Sequence, residues 1–507
     1  MNTIRSLQEG WRLRLSEVTE GLRFRLVQGS LDNEIRQVAN DHRQVGPGDV
    51  FVAIRGFTVD GHAYIPDAIE RGASVIVAEQ PVAADASVTV LEVEDTRKAL
   101  ARIAANYYGR PTEKMSVIGV TGTNGKTSIT YFLRSIYEQA GRSIGIIGTI
   151  GTLIGGELRK NKNTTPESLS LQRIFAEMAD AGIMNCVMEV SSHALSLDRV
   201  ACCRFETAIF TNLTPDHLEL HGTMEGYYEA KARLFAMAEK HNIINADDPY
   251  GQRLIREAAS HRARLITYGI DQPADVYASH IEYTADGIAY TVHTPAGSMP
   301  ITVHLPGKIY VYNSLAAIAA AWAAGIRFED IRAGIEAVRG IRGRMEVVYR
   351  TDDYKVVVDF AHTEDSLEKA LTTLKPYTRG RVILVFGVYA APGEMGLSKR
   401  RGMGKVAARL ADLAIVTSDN PKEQDPKAII ADVAAAMEEE GGNYEAIVDR
   451  AEAIRRAVEL SRPGDTILIA GKGHETTQII GKEEIPFHEA ELVRGMFAEL
   501  KPGARRA

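Results

Sequence analysis

Residues 115–128, M-S-V-I-G-V-T-G-T-N-G-K-T-S, constrain the chain more than any other stretch, because an apolar strand runs through Gly122 and Gly125 into a lysine and a threonine at a helix start. Backbone N–H groups can converge on an anion across such a turn, and the helix N-terminus adds a favourable dipole. Lys126 then reaches terminal phosphates and the Thr127 hydroxyl suits a magnesium ion. The segment departs from G-x-x-x-x-G-K-[ST] at Val120, and Gly122 takes over part of the missing glycine's role. A tight turn with an exposed lysine is the plainer reading, but it does not explain the strand before and the helix after. Thr121, Gly122, Thr123, Asn124, Gly125, Lys126 and Thr127 are therefore the expected phosphate cradle.

At 507 residues the chain has room for about three domains. A formal charge of −7 argues against a nucleic-acid or anionic-membrane partner, which needs a basic surface, and leaves small charged molecules open. Cys186, Cys202 and Cys203 make no C-x-x-C pair and no metal-ligand spacing, which fits a reducing compartment. The first residues lack an apolar signal core, and the alanine-rich run 314–326 is too short to span a bilayer. A cytoplasmic protein is expected.

Short strands at 49–54 and 73–78 around a helix at 63–71 suggest a small α/β domain up to Pro111. After the phosphate loop come a helix at 128–140, a strand at 143–147, a polar loop at 160–166, a helix at 168–181 and the strand 185–190, which delivers Glu189 to its C-terminal end. A second strand, 208–211, feeds N-L-T-P-D-H-L-E-L-H, the helix 224–239 carries Lys231, and 242–246 is a further strand. Alternation over 265–305 suggests an antiparallel patch, and an alanine-rich helix covers 313–324. Beyond Met345, strands at 356–360, 381–386, 413–417, 445–448 and 465–470 alternate with helices, the signature of a doubly wound parallel sheet. The expected division is 1–111, 112–344 and 345–507, with a frayed tail after Pro502.

Thr127, Glu189, Asp216, His217 and His221 form a metal kit at strand ends and loops, suited to Mg2+ beside phosphates. Lys231, on a helix face, reads from the residues alone as a solvated side chain. In the last third, Asp359 and His362, Asp419 to Lys422, and Gly471 to Glu475 follow three strands, so their loops converge on the edge where such sheets bind ligands. G-M-G-K-V-A at 402–407 lacks a preceding strand and reads as structural.

Taken in order, T-G-T-N-G-K-T, N-T-T-P, E-V-S-S-H-A-L, T-N-L-T-P-D-H-L-E-L-H-G-T-M, Y-Y-E-A-K-A-R-L-F, G-R-M-E, V-D-F-A-H-T, D-N-P and A-G-K-G-H-E resemble the Mur ligases, most closely the MurE type. The resemblance covers nearly the whole chain. It implies a UDP-binding first domain, a central ATPase and a Rossmann-like third domain that receives an amino acid. It also implies an ATP-dependent ligase of peptidoglycan biosynthesis that converts an acceptor carboxylate, UDP-MurNAc-L-Ala-D-Glu, to an acyl phosphate and joins it to a diamino acid. On this resemblance Lys126, Glu189, His217, Lys231 and His362 are the catalytic group, and Thr127, Glu189, His217 and Lys231 hold Mg2+ with Lys231 carbamylated. Asn313, Arg344, Asp359 and Lys399 join the ATP contacts. Thr164, Thr165, Ser192 and Arg199 match acceptor positions, and Asp419, Asn420, Lys422, Gly471 and Glu475 the amino-acid side. A monomer acting on small molecules is implied.

Four places depart from the family pattern. D-S-R reads Asp41-His42-Arg43 at the expected UDP site, and F-N-x-x-N reads Ile309-Tyr310-Val311-Tyr312-Asn313. A glycine-rich segment bearing an arginine is replaced by residues 388–396, expected as a longer loop, and D-N-P-R reads D-N-P-K. Lysine offers a point charge where arginine would clamp a carboxylate with two parallel bonds. A paralogue ligating another amino acid or acceptor is thus the alternative. A non-catalytic nucleotide-binding regulator is a third reading, opposed by retention of Lys126, Glu189, His217, Lys231 and Arg344.

Overall fold

In the computed structural model, residues 12–56, 59–391 and 393–501 are described; Pro392 of the 388–396 segment and the tail after Pro502 lie outside them. Among the described residues three large sheets follow one another along the chain, with two small two-stranded ones besides. The first has five strands in the spatial order Arg25–Gln28, Thr89–Glu92, Val75–Ala78, Val50–Val52, Val38–Ala39, parallel except for its first pair. Valine-rich strands are buried on both faces, as a parallel sheet requires.

The second sheet has eleven strands, and Ser116–Thr121 lies inside it between Asn185–Glu189 and Phe205–Phe210, parallel to both. Glu189 pairs with Val120 and Phe210 with Thr121, so both neighbours end level with the phosphate loop. That register is what brings their trailing loops to one place. Antiparallel strands Val276–Thr284, Gly287–Thr294 and Gly297–Val303 extend one edge. The expected antiparallel patch is thus shorter than 265–305: Arg264–Gly269 pairs parallel to its neighbour, because its alternation reflects one half-exposed face and not strand direction.

Helix Lys126–Gln139 covers the sheet and packs against Lys308–Ala323 and Phe328–Ala337. The alanine-rich helix Lys308–Ala323 is buried over most of its circumference, consistent with an apolar sequence all round. Phe328–Ala337, absent from the expected elements, lies close enough to the phosphate-loop helix that a Cβ on Gly334 would stand 2.4 Å from Ile136 Cα.

The third sheet has six strands in the order Glu346–Arg350, Lys355–Asp359, Thr466–Ala470, Val382–Phe386, Leu413–Val416, Tyr444–Ala446, all parallel but the first. The expected loop over 388–396 is only half a loop, because helix Gly393–Leu410 begins inside it; Glu394 sits in the helix's first turn, where an acidic side chain is favourable. G-M-G-K-V-A lies within that helix.

Arg450 ties the site end of this domain together. Its Nε donates to Glu489 Oε1 at 2.7 Å, and its other nitrogens donate to Ser418 O at 3.2 Å and Ala470 O at 2.9 Å. Both side chains are buried, so loss of one partner strands the other's charge. Arg450→Ala is expected to destabilise the C-terminal domain by about 3–5 kcal/mol, read as a lower urea midpoint, with much of the loss recovered in an Arg450→Met, Glu489→Met double variant.

Candidate active site

The phosphate loop owes its shape to two close approaches. Gly122 has φ +138°, and a Cβ there would stand 1.8 Å from Thr211 Oγ1; Gly125 has φ +93° and lies against Asn313, whose Oδ1 would be 2.3 Å from a Cβ. Lys126 Nζ donates to Gly122 O and Thr123 O, each at 2.9 Å, and Lys231 Nζ donates to the same Gly122 O at 2.9 Å. Lys231 is fully buried, which corrects its reading as a solvated helix residue. Burial lowers the pKa of both lysines, that of Lys231 well below the ordinary value, and Lys126 adds to the fall through repulsion. Tyr227 supports them: its ring centroid is 4.5 Å from Lys231 Nζ and its hydroxyl 3.3 Å from Thr123 Oγ1.

Glu189 binds the loop to its neighbours. Oε1 accepts from Thr127 Oγ1 at 3.0 Å and Thr149 N at 2.9 Å, and Oε2 accepts from Thr149 Oγ1 at 3.0 Å. Arg344 Nη2 donates to Thr127 Oγ1 at 3.0 Å and its guanidinium stacks 4.7 Å from the Phe360 ring. A hydroxyl and a carboxylate this close form a hard oxygen set that fits Mg2+. A cleft of about 270 Å³ runs from here between the second and third sheets, lined among others by Asn313, Arg344, Asp359 and His362. Asp359 accepts from Met345 N at 2.7 Å. Tyr310, in the place of an asparagine, is buried on the cleft wall.

The two domains also meet across charge. Asn124 Nδ2 donates to Asp365 Oδ2 at 2.8 Å, and Lys399 Nζ lies 3.6 Å from Asp216 Oδ1. Tyr389 holds Lys399 there, with its hydroxyl 2.7 Å from Nζ. Burial would raise the Asp216 pKa, but His217, Lys399 and His362 outweigh it and bring it down to about 2. His362 is lowered to about 4 by burial and Lys399; its Nδ1 is 2.8 Å from Phe360 O, an arrangement that puts the proton on Nδ1 and leaves Nε2 with a lone pair.

Other sequence-selected residues form two further groups. On one side Thr165 Oγ1 donates to Glu189 O at 2.8 Å, Thr164 Oγ1 is 3.1 Å from Thr149 Oγ1, and Arg199 donates to Thr165 O and pairs with Glu167 at 2.7 Å. Ser192 is buried with an unpartnered Oγ. On the other, Asn420 Nδ2 donates to Glu475 Oε2 at 3.0 Å, Lys472 Nζ donates to Glu475 Oε2 and Asn420 Oδ1, and a Cβ on Gly471 would stand 2.6 Å from Asp419 Oδ2. Burial raises the Asp419 pKa. Lys422, at φ +52°, is exposed beside this group. His42 is in the first domain, stacked parallel on Tyr64 at 4.3 Å, and is not among the residues lining the cleft. Tyr227, Thr149, Asp365 and Tyr389 were not singled out from sequence; only Tyr227 carried a signal, four residues before Lys231 on the same helix face.

This architecture has known relatives. The Mur ligase middle domain family matches residues 120–321, the Mur ligase glutamate ligase domain residues 343–473, and the Mur ligase catalytic domain residues 34–108. The chain belongs to the Mur ligase family. It is 42% identical over 487 residues, 96% of this chain and 99% of the relative, to the UDP-N-acetylmuramoyl-L-alanyl-D-glutamate–2,6-diaminopimelate ligase of Caldanaerobacter subterraneus subsp. tengcongensis. The ligase of the same name from Clostridioides difficile is 41% identical over 488 residues, covering 96% of this chain and all of the relative. A solved structure of a UDP-N-acetylmuramoyl-L-alanyl-D-glutamate–2,6-diaminopimelate ligase, 30% identical, superposes with a TM-score of 0.68 over 96% of this Mur ligase and 99% of that chain.

Two half-buried histidines, His362 and His474, are expected to make this Mur ligase acid-sensitive. His362 is lowered to about 4 and His474 to about 3, both chiefly by burial, from an ordinary value of 6.5. Below pH 6.5 the unfolded chain takes up protons that the native state refuses, so stability is full above that pH and falls as pH drops toward 4. Denaturant titrations are expected to show this decline, with a shallower slope in the His474→Gln variant.

Proposed function

We propose that the chain activates the D-glutamyl carboxylate of UDP-MurNAc-L-Ala-D-Glu with ATP and joins it to a diamino acid, a reading supported by its likeness to UDP-N-acetylmuramoyl-L-alanyl-D-glutamate–2,6-diaminopimelate ligases. The observation that carries this reading is the convergence of Lys126, Thr127, Glu189 and Arg344 on one cleft that His362 also lines, with Lys231 buried behind Gly122 O and Lys399 beside Asp216 of the cleft wall. The polyanion would draw Lys126 off its own loop carbonyls, leaving backbone N–H groups, Lys126 and Arg344 on the phosphates. The acceptor carboxylate oxygen attacks the γ-phosphorus, ADP leaves, and the amine attacks the acyl phosphate carbon to expel phosphate. Mg2+, held by Thr127 and Glu189 with His217 and a modified Lys231, would neutralise charge on the transferring group. His362 Nε2 has the free lone pair to receive the amine proton.

Lys231 is suited to carbamylation because burial, and after it the neighbouring Lys126, favour its neutral amine, the form that attacks CO2, loses a proton and becomes an anionic carbamate. Thr164, Thr165, Ser192 and Arg199 would seat the acceptor's peptide end, His42 the uridine end, and Asp419, Asn420, Lys422, Gly471 and Glu475 the amino acid. Functional units of 1–111, 112–344 and 345–507, acting as a cytoplasmic monomer, complete the proposal.

A specific observation favours a second amine donor. Arg400 does not take the place of the arginine missing from residues 388–396, because it is held by Asp432, Gln424 and Ala391 O at 2.7, 2.7 and 2.9 Å. Phosphate release should be measured with UDP-MurNAc-L-Ala-D-Glu against diaminopimelate, lysine, ornithine and other amino acids. Turnover with diaminopimelate supports the first reading, turnover with another amine alone supports the second, and no turnover with any amine sinks both. Lys126→Ala is expected to abolish phosphate release, and 13C-bicarbonate should give a carbamate NMR signal that is absent from Lys231→Arg.

A further inference from the structure

The strands Asn185–Glu189 and Phe205–Phe210 flank the phosphate-loop strand, so the turns that follow them face each other over its end. Three ligand-bearing side chains meet there that nothing in the ATP chemistry requires as a set. His193 comes from the short helix Ser192–Ser196, His217 from the turn before Leu218–His221, and Glu219 from inside that turn of helix. One ligand atom from each lies within 4.8 Å of the others. The imidazoles of His193 and His217 stand edge to face with centroids 4.8 Å apart, and His217 Nδ1 is 3.4 Å from Glu219 Oε1. His217 holds φ +53°, a backbone conformation that residues other than glycine seldom adopt.

We propose that His193, His217 and Glu219 form a binding site for a divalent transition-metal ion of the Zn2+, Co2+ or Ni2+ class, adjoining the Mg2+ set of Thr127 and Glu189 and drawing on the same His217. Two imidazole nitrogens and one carboxylate oxygen are a donor set for such ions, whereas Mg2+ prefers oxygen alone. Donor atoms around tetrahedral Zn2+ stand about 3.3 Å apart, so three atoms already within 4.8 Å close on an ion through small side-chain rotations. Three protein donors leave a fourth position for water. Asp216, whose Oδ2 is 3.4 Å from His217 Nε2, orients the imidazole from its other nitrogen. A metal here fixes His217 and so competes with any role that residue has toward Mg2+, which makes the site inhibitory.

The test uses full-length, metal-free protein and Co2+ as the probe, read by its visible ligand-field bands in the presence of excess Mg2+. One equivalent is expected to bind with the intense bands of a low-coordinate centre and to be displaced by Zn2+. Both His193→Ala and the exposed-site variant Glu219→Gln should weaken Co2+ binding by at least ~10-fold, since even outer-shell losses cost about 10–100-fold in metal affinity. Lys231→Ala should bind Co2+ as the parent does. In turnover assays at saturating Mg2+, Zn2+ should inhibit the parent and fail to inhibit His193→Ala, whose own activity is retained. Parental Co2+ affinity in both His193→Ala and Glu219→Gln, or only the faint bands of six-coordinate Co2+, would overturn the site. The spectroscopic readout needs no substrate, so it stands or falls independently of the proposed ligase reaction.

Discussion

The hydrogen bond from Thr127 Oγ1 to Glu189 Oε1 joins the first turn of the phosphate-loop helix to the end of the neighbouring strand, and the geometry of the cleft depends on it. The same carboxylate gathers Thr149 from the next strand's loop, and the same hydroxyl accepts from Arg344, at the entry to the third sheet. Two buried side chains thereby register three segments around the second sheet and the stretch that leads into the third. Parallel pairing makes this possible, since Val120 opposite Glu189 brings both chain ends out at one level.

Much of this was legible because it rests on local pattern. A strand, two glycines and a helix start specify a phosphate loop within one short stretch, and valine-rich runs between helices specify parallel sheets. What the sequence hid depends on contacts distant along the chain. Lys231 occupies a helix whose apolar and polar residues are poorly segregated, so nothing local tells that its side-chain nitrogen turns inward against Tyr227. Asp365 matters because Asn124 reaches it from 241 residues away, and Tyr389 because it supports Lys399 against Asp216. Residues 388–396 read as a loop since glycine, proline and alanine carry turn signals as well as helix-start signals, and only the packing of Gly393–Leu410 on Pro426–Glu439 decides for helix.

The chain's departures from its family sit in different physical settings. Tyr310 is absorbed into the wall of the nucleotide cleft, where a larger apolar body fills space that an asparagine would leave polar. Lys422 stays exposed at φ +52°. The first is a packing substitution, whereas the second leaves a point charge at the surface with nothing packed around it to fix its direction.

Gly122 O accepts from the side-chain nitrogens of both Lys126 and Lys231, the second of them fully buried. Each lysine raises the electrostatic cost of the other, and a single carbonyl dipole is a weak counterweight for both. The cradle is therefore under electrostatic pressure before any ligand enters. A polyphosphate that draws Lys126 outward relieves that crowding as well as adding new contacts, so part of its affinity is repulsion released from the protein. The same reasoning makes an anionic modification of Lys231 self-reinforcing, because it turns the crowded pair into an attractive one.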